Sequence, residues 1–299
     1  MQISGPKLKT QVTIKQSITT QLSIVAALVL TAPTYAAQNA LQAEHQQRLQ
    51  KAQVEESTAK SAWDKAYALK QQAAELDSLG KSAQALTVID RALGFIQPEQ
   101  DKDFIATKAG ILFSMNNPTE ALTLLQPRLD AIRKLGNAEP DKRISFLGTY
   151  TEGFVTATFA HIQLEQWQEA INTLADAEGP LEGPSFYAYR GLVYRYIMSR
   201  AKNPALADPK LEKSAAYYTQ NDKSHYGALL RMWQGSVTPA EVDRMIGQMS
   251  DAEQQDALAE ALFYSAAYAK FVRDDSASAR QKLDQLNRLA PYGSIEWIY

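Results

Sequence analysis

The chain has 299 residues, with 31 Lys and Arg against 33 Asp and Glu, and it contains no cysteine. A slightly acidic balance argues against nucleic acid as a partner, which needs a basic face. The missing cysteine excludes disulfides, thiolate nucleophiles and Cys-ligated metal, and a chain this long can bury an adequate core without cross-links.

Residues 1–36 have the three-part layout of a secretory signal peptide. Lys7, Lys9 and Lys15 are the charges that precede an apolar run from Leu22 to Ala32, and Thr34-Tyr35-Ala36 supplies small residues at −3 and −1 of a cleavage site. Eleven helical residues span about 17 Å, short of a hydrocarbon core of about 30 Å. Removing the segment takes away three lysines and no acid, leaving 28 basic residues against 33 acidic. No later stretch is apolar enough to span a membrane. Bacterial lipoproteins are acylated on a cysteine at the cleavage site, so the expectation is a soluble exported protein, periplasmic or secreted.

Residues 37–60 are Gln-rich and polar. Leu41, Leu49 and Val54 make no wide apolar stripe, so a polar arm or loose helix is expected ahead of a helical body over 61–299. Helix starts are marked at Ser61-Ala62-Trp63-Asp64, Asn117-Pro118-Thr119-Glu120, Thr238-Pro239-Ala240-Glu241 and Ser250-Asp251-Ala252-Glu253. In each, a side chain or a first-turn proline answers backbone N–H groups that lack helical partners.

The helices repeat. Leu69, Ala73 and Leu76 share one helical face, Gly80 breaks the helix, Ala85, Ile89 and Ala92 form the seam of a second, and Pro98 ends it. Ile105, Ala109, Leu112, Ala121 and Leu125 repeat the pattern 36 residues on. Phe154, Ala157, Ala170, Leu174 and Ala177 form a third copy, in which Trp167-Gln168-Glu169-Ala170 replaces the turn and the start of the second helix. Phe263, Ala267, Ala279, Leu283 and Pro291 form a last copy. Small residues let paired helices approach, and large ones fill the space between them. This pattern resembles the tetratricopeptide repeat (TPR), a helix pair of about 34 residues. The expected fold is all-α, a TPR-like right-handed superhelix of antiparallel helix pairs. Between the third and last copies the register is lost. Residues 185–200, 209–220, 224–234 and 239–249 still read as helices, with Pro204 and Pro209 interrupting them.

The C-terminal third, residues 185–299, resembles the end of the NlpI-type TPR lipoproteins. The residues that carry the likeness are Tyr189-Arg190-Gly191-Leu192-Val193-Tyr194, Met232-Trp233-Gln234-Gly235, the capped stretch Ser236 to Glu241, Glu260-Ala261-Leu262-Phe263-Tyr264 and Ile295-Glu296-Trp297. The chain departs from that family in lacking the lipid-bearing cysteine. The resemblance implies an adaptor that brings envelope enzymes to substrates, without specifying the same partners.

No catalytic or cofactor signature appears: no G-x-S-x-G elbow, P-loop, H-E-x-x-H or dinucleotide glycine motif. His45, His161 and His225 stand far apart, none at metal-ligand spacing, so no metal and no cofactor are expected. Asp101/Asp103, Asp251/Glu253 and Asp274/Asp275 lie at expected helix starts, where carboxylates cap. The chain is therefore read as a non-enzyme. Aromatic residues stand out, with seven of the 14 tyrosines between 187 and 226. Tyr187, Arg190 and Tyr194 share one helical face, as do Tyr264, Tyr268 and Phe271. In the repeat register Tyr264, Tyr268, Phe271 and Phe159 fall at groove-lining positions. Tyr and Arg dominate interface energetics, so these seven residues are candidates for a peptide- or protein-binding groove. The alternative is packing between helices with hydroxyls at the surface, and spacing alone does not decide. The function expected is an exported adaptor presenting a groove to a protein or peptide partner of the cell envelope. An immunity or inhibitor protein against an envelope-acting toxin or hydrolase fits the same features.

Overall fold

The structure is a computed structural model that describes residues 35–289. Residues 1–34 of the segment expected as a signal peptide (1–36), Pro291 and Ile295-Glu296-Trp297 lie outside that range. The fold is all-α, and no strand occurs among the described residues.

Most helices come in consecutive antiparallel pairs. They are α2 (Ala62–Ser78) with α3 (Ser82–Leu93), α4 (Lys102–Ser114) with α5 (Pro118–Ala138), α7 (Thr151–Gln163) with α8 (Trp167–Asp176), α9 (Pro184–Ala201) with α10 (Pro209–Asn221), α11 (His225–Trp233) with α12 (Pro239–Ile246), and α13 (Asp251–Ala267) with α14 (Ser276–Asn287). A short α6 (Arg143–Leu147) packs on α5, and a π-helical turn, Tyr268–Val272, continues α13. The second helix of each pair rests on the first helix of the next. First helices also touch across pairs, α2 on α4, α4 on α7, α9 on α11 and α11 on α13.

One device ends four of these first helices. Gly80, Asn116, Glu165 and Gly235 all have positive φ, between 56° and 76°. After each, a backbone N–H reaches back to a carbonyl five residues earlier: Lys81 to Leu76, Asn117 to Leu112, Gln166 to His161, Ser236 to Arg231, at 2.8–2.9 Å. This closing turn satisfies carbonyls that the helix leaves orphaned. Glycine fits it without strain, whereas Asn116 and Glu165 adopt it at a steric cost.

Helix starts use two solutions. Ser61 Oγ accepts the Asp64 N–H at 3.0 Å, and Glu241 reaches back to accept the Thr238 N–H at 2.8 Å. Asn117 makes no side-chain cap; Pro118 at the first helical position removes one orphan donor and presets φ instead. Ser250 also accepts no backbone N–H, its hydroxyl contacting Glu253 at 3.3 Å.

The small and large repeat positions are buried in all four copies, with Leu283 the exception among those described. They form two cores. A smaller one joins α2 and α3 to Phe104 and Ile111 of α4, and a larger one runs from α4 to the residues after α14.

Residues 37–60, expected as a polar arm or loose helix, fall largely in α1, Tyr35–Thr58, a continuous helix packed on both α2 and α13. Leu41 is buried in the larger core, while Leu49 packs against the smaller one. Polar contacts add to its hold on α2 and α3. His45 Nδ1 meets Glu75 at 2.6 Å, Gln72 donates to Glu56 at 2.8 Å, and Arg91 pairs with Glu56 at 2.9 Å. Through α1 the succession of helix contacts returns from α13 to α2 and closes.

On the α13 side of this seam stands Asp256, near Glu44, His45, Arg48 and Glu260. Crowding by protein raises its carboxyl above the usual carboxylate range, and Glu260 and Glu44 add to the rise against His45 and Arg48. Asp256 keeps contact with water, which limits the effect. A raised folded-state value means stability is lost as pH climbs through it. Asp256→Asn should therefore raise Tm near neutral pH, and the difference should vanish below the ordinary Asp range. Leu41→Ala should cost about 2–3 kcal/mol and lower Tm by about 5–10 °C in thermal circular dichroism, with helical content at room temperature unchanged.

Candidate functional site

A concavity of about 1260 Å³ lies between the C-terminal end of α9, the π turn and α14. Its geometry starts from the π turn. There the backbone N–H of Arg273 bonds the Tyr268 carbonyl at 3.1 Å, five residues back instead of four. The wider turn changes the angular step between side chains, so residues spaced for one face of an α-helix separate. π turns of this kind are frequent at functional sites.

Three of the expected groove residues lie along this stretch. Tyr264 is fully buried, edge-on to Tyr196 at 6.3 Å and to Tyr189 at 6.5 Å. Tyr268 is half-buried against Trp233, ring centroids 5.7 Å apart. Phe271 is half-buried beside Tyr196 at 6.2 Å and reaches the concavity. Arg200 lies over both the Phe271 and Tyr196 rings at 5.7 Å and donates to the Tyr196 hydroxyl at 3.1 Å.

The floor of the concavity is made of small residues, Ala266, Ala267 and Ala279, over the buried rings of Tyr196 and Phe263. Phe271 and the exposed Leu283 stand at its sides. The rim is basic: Lys270 on the π turn, Arg280 and Arg288 on α14 and just after it, and Arg200 on α9, against one acid, Asp284. Lys270 Nζ donates to the neutral Ser276 hydroxyl at 2.9 Å, and among the described residues neither Lys270 nor Arg280 has an ion-pair partner. Sequence reasoning missed these cations. The available signal was Lys270, Arg280 and Arg288 within one C-terminal segment of an otherwise acidic chain.

Of the remaining four expected residues, three are buried and Tyr187 is half-buried. Phe159 is fully buried in α7, whose side chains are enclosed by α4, α5 and α8 on nearly every face. Tyr194 is fully buried, its hydroxyl raised by burial. Arg190 is 3% exposed, pairs with Glu178 at 3.1 Å and lies over the Tyr187 ring at 5.3 Å. Tyr187 is half-buried, stacked on Tyr218 at 5.6 Å, and donates to the Gly179 carbonyl at 2.9 Å. Phe159, Arg190, Tyr194 and Tyr264 are thus buried among neighbouring helices. The Tyr-rich stretch between 187 and 226 is largely a packing joint around α9, which lies among α8, α10 and α11.

The histidines are also structural in geometry. His225 Nε2 meets Glu260 at 2.6 Å, and the same carboxylate accepts the Tyr226 hydroxyl at 2.7 Å, joining α11 to α13. His161 lines a second, smaller recess of about 250 Å³ and bonds Gln166 at 2.7 Å. Burial lowers its pKa, which keeps the ring neutral near neutral pH. In the same recess Asp176 takes Arg133 at 2.7 Å, and Arg143 completes the clasp. No group of three or more His, Cys, Asp or Glu suited to a metal occurs among the described residues.

No family model matches this sequence, and comparison with curated proteins returns no match.

Tyr264→Ala should cost about 3 kcal/mol and lower Tm markedly, because it empties core volume. Phe271→Ala should cost about 1 kcal/mol or less, since the ring is half-exposed. Parallel thermal melts of the two variants check this contrast.

Proposed function

We propose that this chain is an exported, non-catalytic adaptor of TPR-like architecture that captures a protein or peptide partner in the cell envelope. The observation that carries the reading is the α9–π–α14 groove, an open concavity with an apolar floor and the exposed cations Lys270 and Arg280 at its rim. Supporting it, helix pairs recur with the same left-handed closing turn, as expected of stacked repeats. α11 ends in Trp233, two residues before the left-handed Gly235, and the short α12 begins behind Thr238 with Glu241 in its first turn. Among the described residues no helix is long and apolar enough to cross a membrane.

Export is tested by the N-terminus of the protein recovered from cells. It should begin at Ala37, and recovery of an intact Met1 would remove the export half of the reading. Capture is tested with the mature chain immobilised against envelope extract. A defined protein should be retained by wild type and lost with Phe271→Ala. Identical retention on both would place the interaction elsewhere.

A further inference from the structure

The recess of about 250 Å³ on the seam of α5, α7 and α8 is lined by hydrogen-bonding side chains throughout. α5 contributes Gln126 and Arg133, two helical turns apart and so on one face. α8 contributes Glu169 and Thr173 at a spacing of four, with Asn172 and Asp176 beside them. His161 reaches the recess from α7.

The basic groups there are already engaged. Asp176 accepts Arg133 at 2.7 Å and also holds Arg143. Arg133 donates to Thr173 at 3.3 Å and lies 3.5 Å from Asp130. Both guanidiniums therefore face protein carboxylates.

Three acceptors stay open. His161 Nδ1 bonds Gln166 Oε1 at 2.7 Å, which makes Nδ1 the N–H and leaves the lone pair on Nε2. Nε2 makes no hydrogen bond, and the ring, in a residue 8% exposed, lines the recess. Burial lowers the His161 pKa, so the lone pair is retained at neutral pH. Glu169 is exposed and has no ion pair or side-chain hydrogen bond among the described residues. Gln126 donates its amide to Asp130 at 2.8 Å, which leaves Oε1 as an acceptor. One donor accompanies them: Asn172, whose Oδ1 accepts Gln168 at 3.0 Å and whose amide N–H groups remain. The other histidines differ, since His45 and His225 each meet a carboxylate at 2.6 Å.

A ligand for this recess has to bring donors and positive charge. Asp130, Glu169 and Asp176 stand against Arg133 and Arg143, three carboxylates to two guanidiniums. A primary ammonium carries three N–H donors, one positive charge and no acceptor. The volume lies below the roughly 300–1,000 Å³ of pockets for drug-sized molecules, so the ligand is of side-chain size.

We propose that the recess binds a primary ammonium group on a short aliphatic chain, held by His161 Nε2, the Glu169 carboxylate and Gln126 Oε1. A free diamine and a partner's lysine side chain share this chemistry. A neutral diol satisfies the acceptors but leaves the Glu169 charge uncompensated, and an anion is repelled by it. A metal cation is the poorer occupant, because no group of three His, Cys, Asp or Glu among the described residues is placed to hold one. The site is separate from the α9–π–α14 groove, so the adaptor reading does not depend on it.

The chain has three histidines, few enough to follow each ring by NMR. His161 is assigned by the resonance that His161→Asn removes. Three ligands of one carbon length are titrated into the purified chain: putrescine, butanediol and succinate. Putrescine should shift the His161 ring saturably, with a Kd of about 1 mM or tighter. It should bind about tenfold or more tighter than butanediol, and succinate should leave the ring unmoved. Glu169→Gln, at an exposed position, should weaken putrescine about tenfold.

Binding should fall as pH drops through the His161 titration, since a protonated ring donates where it has to accept. Arg133 and Asp130 from α5, Arg143 from α6, and Glu169 and Asp176 from α8 are the charged groups around it. Bound putrescine should move that titration to still lower pH, which a purely structural histidine would not show. Should His161→Asn fail to fold by circular dichroism, Glu169→Gln and the wild-type titration decide the matter. N-acetyl-lysine methylamide separates the two sources. Binding as tight as putrescine assigns the recess to a lysine side chain, and weaker binding assigns it to a free diamine. Equal binding of putrescine and butanediol, preference for succinate, no shift of His161 with any ligand, or no effect of Glu169→Gln would each overturn the proposal.

Discussion

A single helix ties the first and last helix pairs together. α1 places Leu41 in the larger core and Leu49 against the smaller one, so it is the splice between two apolar clusters. Without it, the α2–α3 pair would hold to the rest through α4, and α13 would expose the face that α1 covers. Its attachment uses polar pairing as well as apolar area, because His45 and Glu56 meet Glu75 and Gln72 of α2, and Glu56 also meets Arg91 of α3. Pairing buried or half-buried polar groups costs little only when each finds its partner, so this contact specifies register as well as adding stability. The same seam brings Asp256 into crowded surroundings, where its charge works against the fold.

The groove depends on that closure at one remove. α13 is fixed by α1 on one side and by α11, α12 and α14 on the others. Its continuation into the π turn then meets the end of α9, where Arg200 lies over Phe271 and Tyr196. Tyr264 and Phe271 both meet Tyr196, whereas Tyr268 meets Trp233. Lys270 emerges facing α14 in the same step. A groove of this kind is therefore a product of backbone hydrogen-bond register, and a straight α-helix of identical sequence would bury or present different residues.

Much of the pairing was legible because it is periodic. Ala73, Ala85, Ala92, Ala109, Ala121, Ala157 and Ala170 recur where helices approach closely, and all are buried. Helix ends were legible where Gly80 marks them. Asn116 is a weaker marker, since Asn tolerates the left-handed region, and Glu165 takes the same turn with no such signal in its residue type. α1 was not legible as a packed helix, because a contact built from ion pairs and one or two leucines leaves no wide apolar stripe. Tyr194, Tyr264 and Phe159 were misleading for a related reason. A first helix enclosed on almost all sides has no free face, and helical spacing cannot distinguish a groove position from one covered by a neighbouring pair. The cations of the site escaped notice because they converge from three elements whose meeting only the fold creates.

Closure by α1 also bears on how this protein can vary. An open stack of repeats gains or loses a unit without disturbing distant ones, since each unit contacts only its neighbours. Here the number of pairs sets a circumference, and α1 has to reach both α2 and α13. Adding or deleting one pair would carry α13 away from α1 and expose Leu41. Copy number is thus locked by geometry, and change is confined to places outside the circuit, such as the turn around Pro204 between α9 and α10 or the outer face of α14.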